Sequence, residues 1–426
     1  MEFERRAIAP GVHCNVIGTD KFKTNTIGVQ FVSTLSEQEA SKNALVPYVL
    51  VRGCERYPDM TELNRYLESL YGASLSVNIQ KRGDRQIAGF YLTLLADRYA
   101  LGGEPLLESA ADFVLELIFR PLMRDGAFDE QIVAKEKKNL IDRIDAQIND
   151  KRRYALRRTY EVMCQGEAFA VNEYGERSRI EELTGAELYG HYRDMLQTAN
   201  LEFFVIGQNG GAIAKKLAGA FAGRQRSPRA LPPTRVTAAA GSPRETTDEM
   251  AVAQGKLCLG FRTGGVSFGS EDYPALVMFS GIYGATPVSK LFMNVREKLS
   301  LCYYCSSLLE KHKGLMLVNS GVEVENAGRA REEILAQLDA VRRGDFTEEE
   351  FAAARKAMEN TYRSSADFPH TLADWYLGCV LAGCEMSLDD AAAALGRVTR
   401  DDVIRVAQSV TLDTIYFLRG TSKEVG

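Results

Sequence analysis

The chain runs to 426 residues, 45% of them apolar and 26% charged, with a formal net charge of −5. That is ordinary globular composition, and the absence of a basic footprint excludes nucleic acid as a partner. Nothing after Met1-Glu2-Phe3-Glu4-Arg5-Arg6 reads as a signal peptide, and Trp375–Cys384 is too short to span a bilayer. The expectation is a cytoplasmic protein, with no membrane partner, whose eight cysteines are reduced.

Gly11–Gly18 and Thr24–Ser33 read as a first strand pair. Asn43–Gly53 is apolar at helical spacing, and Pro47 inside it predicts a kink or a helix start. Asp59-Met60-Thr61-Glu62 opens a helix in a capping-box pattern, and Gly72 stops it. Ser74–Gln80 and Gln86–Leu95 alternate about a Lys81-Arg82-Gly83-Asp84 turn, which predicts a hairpin. Pro105–Phe119 and Phe128–Cys164 read as long helices, Thr184-x-x-Glu187 caps another, and Leu201–Gly207 is a buried strand. The basic run Lys151-Arg152-Arg153 with Arg157-Arg158 reads as a solvated helix face. Residues 223–248 hold four of the 12 prolines and no amphipathic pattern, so they read as a linker. Beyond it come a strand at Lys256–Thr263, helices at Tyr273–Tyr283 and Pro287–Lys298, and strands at Leu301–Leu309 and Leu315–Val324. Helices at Ala327–Arg343 and Glu348–Ser364 and a strand at Thr414–Leu418 follow.

The second half repeats the first. Thr184 through Glu187 to the strand ending at Gly207 has its counterpart in Thr399 through Asp402 to Gly420, and Phe128-Asp129-Glu130 corresponds to Phe346-Thr347-Glu348. A period near half the chain is duplication of a whole domain, since stacked small repeats recur every ~20–50 residues. The predicted architecture is α+β (mixed α/β) with two homologous lobes, 1–222 and 249–426, each a mostly antiparallel sheet packed with helices.

The segment Ser289–Tyr303 runs from a helix through a charged turn directly into a strand. Within it, Leu291-Phe292-x-x-Val295-Arg296-Glu297-x-x-x-Leu301-x-Tyr303 resembles the second-half signature of the pitrilysin-type metallopeptidases, which include insulinase-like enzymes and the mitochondrial processing peptidase. The resemblance extends over the whole chain in order, length and duplication, and it implies half of a clamshell. In that family the matching arginine and tyrosine contact peptide bound in the partner subunit's active site, which assigns substrate binding and transition-state stabilisation to Arg296 and Tyr303. The chemistry fits: a phenol can donate to the oxyanion formed when zinc-bound water attacks a peptide carbonyl, and a guanidinium fork can hold a carbonyl in register. Tyr304 is the rival, but adjacent strand residues point to opposite faces, so only one can reach the peptide.

The family's first half carries an inverted zinc motif, His-x-x-Glu-His, on a helix. Val51-Arg52-Gly53-Cys54 matches the end of that helix, which puts Ala44, Pro47 and Tyr48 where His, Glu and His belong. The distal glutamate falls at Arg143 in the run Glu136–Ile144. The zinc motif is therefore read as lost, and the stretch from Leu45 to Gly53 resembles the non-catalytic, YmfF-like bacterial branch. The resemblance implies no metal in this chain and a homologous zinc-bearing peptidase subunit as heterodimer partner, the two hydrolysing peptides jointly. A structural subunit with no part in catalysis is the alternative.

Other metal and nucleophile patterns are incomplete. His13, His191, His312 and His370 lack ligand spacing, Cys302-Tyr303-Tyr304-Cys305 stands alone, and Cys379/Cys384 has the wrong spacing for a second knuckle; buried apolar thiols are expected. Gly265-Val266-Ser267-Phe268-Gly269 has the serine-hydrolase pattern, but an elbow needs a helix starting at Ser267, and Glu271-Asp272-Tyr273-Pro274 places that start later. Gly207-x-x-Gly210-Gly211 reads as a turn.

Overall fold

The computed structural model describes residues 2–421. In chain order the first elements are β1 (Glu2–Ala9), β2 (Val12–Gly18), β3 (Thr24–Thr34), α1 (Ala40–Leu50), α2 (Met60–Ser69), β4 (Ser74–Arg82), β5 (Arg85–Leu95) and α3 (Leu106–Phe119). A two-residue hairpin, β6 (Met123–Arg124) with β7 (Ala127–Phe128), leads to α4 (Glu130–Ala146) and α5 (Lys151–Met163). Then come α6 (Arg177–Glu182), α7 (Gly185–Thr198), β8 (Asn200–Gly207) and α8 (Gly210–Phe221). The chain divides into two compact units: Met1–Asp145 with Val171–Pro233, and Ala146–Ala170 with Thr234–Gly426.

The first unit is built on a six-stranded sheet in the order β1-β2-β8-β3-β5-β4, antiparallel except for β2 against β8. The strands predicted at 11–18 and 24–33 exist, as β2 and β3, but do not pair, because β8 lies between them. Apart from Asn200, β8 is buried throughout, and a run so buried, apolar but for Glu202, needs a ladder on both edges. Phe31, Phe90 and Phe203 join the core formed with α1, α3, α7 and α8. The edge strand β1 was not foreseen; its sequence alternates charge, which suits an edge that must not recruit further strands.

Helix α1 continues through Pro47 and so does not start there. It begins at Ala40, whose N–H bonds Ser36 O, and burial of nearly all its side chains offsets the single ladder bond the proline cannot make. The long predicted helix after Phe128 is two, separated where the Asp150 carboxylate accepts from the Arg153 N–H (3.0 Å) and caps α5.

In the second unit the elements are α5, β9 (Arg244–Met250), β10 (Gly255–Arg262), α9 (Tyr273–Ser280), β11 (Cys302–Glu310), β12 (Leu315–Val322), α10 (Ala327–Arg342) and α11 (Glu348–Ser365). They are followed by α12 (Pro369–Ala382), α13 (Leu388–Arg397), α14 (Arg400–Ser409) and β13 (Thr411–Gly420). β9 starts within the stretch 223–248. The sheet order is β11-β12-β10-β13-β9, with only β13 and β9 parallel. Set beside β4-β5-β3-β8-β2, the order and the position of the parallel pair coincide, so the duplication read from the sequence is present in the topology. The repeated Thr184/Glu187 and Thr399/Asp402 pairs are the capping boxes of α7 and α14, the helices that feed β8 and β13.

Helix α5 packs against β10 and β13, burying Ala155, Thr159 and Met163. The basic run on it is therefore only partly a solvated face. Arg152 bonds Asn319 and stacks 4.6 Å over Tyr304, and Arg158 pairs with Glu161 and Asp248. Apolar spacing within α5 is too sparse to have announced that contact.

Candidate functional site

Two places in the chain hold the residues singled out above, one in each unit. In the second, α9 passes into a π-helical turn at Gly281–Ala285, and the segment carrying Arg296, Leu291–Lys298, is π-helical throughout. Such widened turns are rare outside functional regions. The segment ends at Ser300, which adopts the left-handed region (φ +49°) while its N–H reaches Arg296 O and the Leu301 N–H reaches Val295 O. A non-glycine residue there is strained. Ser300→Gly should raise the stability of this unit by about 0.5–1 kcal/mol, read as an upward shift of about 2 °C in its thermal transition.

Immediately after comes a β-bulge. Cys302 pairs with Val322 but Tyr304 pairs with Gly321, leaving Tyr303 as the extra residue. A bulge re-aims a side chain. Tyr303 is 62% exposed, its hydroxyl donating to Glu323 Oε1 (2.7 Å). That carboxylate pushes the phenol above its ordinary value, so the donor proton is retained at neutral pH. Tyr304 is half-buried under Arg152, and burial pushes its phenol up to about 12. Arg296 lies 4.6 Å over the Phe292 ring and 3.6 Å from Glu297. Arg296, Ser300, Cys302, Tyr303 and Glu323 line one open cleft of about 430 Å³. The structure thus brings Arg296 and Tyr303 together; Glu323 and the strain at Ser300 were missed, since neither residue type signals a site from sequence.

The first unit shows what occupies the zinc-motif positions. Ala44 and Pro47 are buried in α1, and Tyr48, one turn beyond Ala44, is half-buried. The Arg143 guanidinium from α4 lies 5.6 Å from the centre of the Tyr48 ring. Burial raises the Tyr48 phenol, against the opposing pull of Arg143. Beside them Arg52 makes a two-pronged ion pair with buried Glu136, Nε–Oε1 2.7 Å and Nη2–Oε2 3.1 Å. A methyl, a proline ring, a half-buried phenol and a guanidinium do not fit zinc, which takes imidazole, thiolate or carboxylate. Among the described residues no group of three or more His, Cys, Asp or Glu could hold a metal ion.

The remaining motifs resolve simply. His191 contacts Asn43 Oδ1 through Nε2 (2.7 Å), and burial holds its imidazole below the usual value. Ser267 sits in a turn closed by Ser270, and the next helix starts only at Tyr273, so the hydrolase elbow is absent. No helix among the described residues is long and apolar enough to cross a membrane.

A model of the peptidase M16 inactive domain matches residues 182–358. The chain is 34% identical over 412 residues to the probable inactive metalloprotease YmfF of Bacillus subtilis, covering 96% of each chain. A conserved protein from Enterococcus faecalis superposes with a TM-score of 0.89 at 28% identity, over 99% of both chains. A peptidase M16 inactive domain from Pseudomonas fluorescens superposes with a TM-score of 0.78 at 17% identity, over 100% of both.

Proposed function

The chain belongs to the peptidase M16 family as an inactive-metalloprotease-like member, and from that premise we propose that it is the zinc-free subunit of a heterodimeric peptidase. It acts in the cytoplasm beside a homologous subunit that carries the metal. The observation that carries the reading is the contrast between its two sites. One offers no ligand set; the other exposes Arg296 and Tyr303 on a single cleft.

The partner's zinc polarises a peptide carbonyl and activates water. What this chain adds is positioning and charge. The Arg296 fork grips a substrate carbonyl and fixes the peptide's register. The Tyr303 hydroxyl, released from Glu323 as the peptide enters, donates to the oxygen on which negative charge develops. An exposed phenol is suited to that exchange because it leaves one acceptor for another without opening a core.

The test is reconstitution. Purified alone, this chain should hydrolyse no peptide and contain no stoichiometric zinc by elemental mass spectrometry. Mixed with the zinc-bearing homologue, it should raise peptide turnover well above that subunit alone. A complex that forms with no gain in turnover would make the chain an assembly subunit instead.

A further inference from the structure

Helix α12 closes on a turn whose two contact positions are both cysteines. Gly383 is left-handed (φ +69°), its N–H donates to Val380 O (3.2 Å), and the Cys384 N–H reaches back to Cys379 O (3.0 Å). That pattern packs the side chain after the glycine onto the one five residues earlier. It therefore brings the two cysteines side by side, the proximity that a disulfide requires. The Cys379 thiol donates to Met386 O (3.5 Å), and the Cys384 thiol is its side-chain neighbour. Cys379 is buried, whereas Cys384 is half-buried, the most exposed of the eight cysteines.

We propose that Cys384 and Cys379 are a peroxide-reactive dithiol, an attacking thiol at the surface with a resolving thiol behind it. The local chemistry supports the assignment of roles. The neighbouring Cys379 thiol chiefly, opposed by burial, and the charge of Lys311 pull the Cys384 thiol down to about 7, while the same contact pushes Cys379 up. Lys311 is held there over the rings of Phe268 (4.2 Å) and Trp375 (4.8 Å). The Cys384 thiolate attacks one oxygen of hydrogen peroxide, the O–O bond breaks, and hydroxide leaves a sulfenic acid on sulfur. The Cys379 sulfur then displaces the hydroxyl; the S–S bond forms, and the Cys379 proton departs with that hydroxyl as water. One peroxide takes two electrons, one from each sulfur, and a dithiol reductant returns them.

Cys302 and Cys305 form the chain's other close pair, side by side across the bulge in β11. Both are buried and pair with β12, Cys302 at the edge of the open cleft. The two pairs therefore predict different products. The full-length protein, treated with a small excess of hydrogen peroxide, blocked with iodoacetamide and digested with trypsin, should lose two alkylatable thiols. Peptide 364–397, which has no internal Lys or Arg before Arg397, should come out two hydrogens lighter. Cys379→Ser should stop the reaction at a sulfenic acid on Cys384 that dimedone traps, and Cys384→Ser should abolish the loss. A bridge mapping to Cys302–Cys305, or an unchanged 364–397 peptide, overturns the proposal. The wild-type mapping stands whether or not the variants fold.

Discussion

Arg262→Ala should cost the second unit about 3 kcal/mol, because it removes the buried cation shared by two carboxylates. Arg262 is 2% exposed, with Nε on Asp413 Oδ2 (2.8 Å) and Nη2 on Glu167 Oε1 (3.1 Å). Lys313, fully buried, bonds the other Glu167 oxygen (2.8 Å), and Arg244 bonds Asp413 Oδ1 (3.0 Å). Both arginines also donate to Met163 O, at 2.7 and 2.6 Å, which ties the segment 146–170 to β10 and β9. Removing the central guanidinium leaves Asp413 to Arg244 alone and Glu167 to Lys313 alone, with one oxygen of each losing its partner, a larger penalty than losing a surface pair. The pH dependence has a definite sign. Burial would raise Asp413, but the Thr414 hydroxyl and the two arginines outweigh it and hold the carboxyl below its ordinary range. A depressed carboxylate contributes its full stability above its unfolded value of about 4 and loses it as pH falls through the folded value. The gap between wild type and Arg262→Ala in urea midpoint should therefore be widest near neutrality and shrink below about pH 4. A gap that is small at neutral pH, or that grows in acid, would contradict the network's role.

What the sequence revealed of the fold depended on how local the signal was. The β4–β5 hairpin followed from alternation about a glycine turn, and the pairing found is in that register. The caps at Thr184 and Thr399 followed from short spacing. β8 was read as a strand, but its insertion between β2 and β3 is a long-range choice that no window contains. The same applies to α5, whose neighbours lie about a hundred residues away in β10. At the site, alternation alone could say that only one of Tyr303 and Tyr304 faces outward. Which one depends on a bulge, and a bulge is a property of pairing with β12 rather than of β11 itself. The meeting of Tyr48 with Arg143 was reachable only through family resemblance, because nothing intrinsic to the two residues pairs them across 95 positions.

Within the reconstituted heterodimer, Tyr303→Phe should lower kcat by about 10²-fold, the scale of removing one donor to a developing oxyanion, or about 2.7 kcal/mol. The loss should fall on kcat rather than KM, since the bond strengthens only as charge develops. Stability should be unaffected, because the hydroxyl is exposed and its partner Glu323 remains open to water. Arg296→Ala should act differently. Its guanidinium holds ground-state peptide, so KM should rise about tenfold with a smaller change in kcat, and Arg296→Lys should restore little, since an ammonium lacks the planar fork. Tyr304→Phe is the internal control: a ring packed beneath Arg152 should leave turnover unchanged. Should the Tyr303→Phe, Arg296→Ala double variant turn over peptide like the wild-type pair, the cleft in this subunit is a relic, and the π-helical segment and the bulge survive only for assembly.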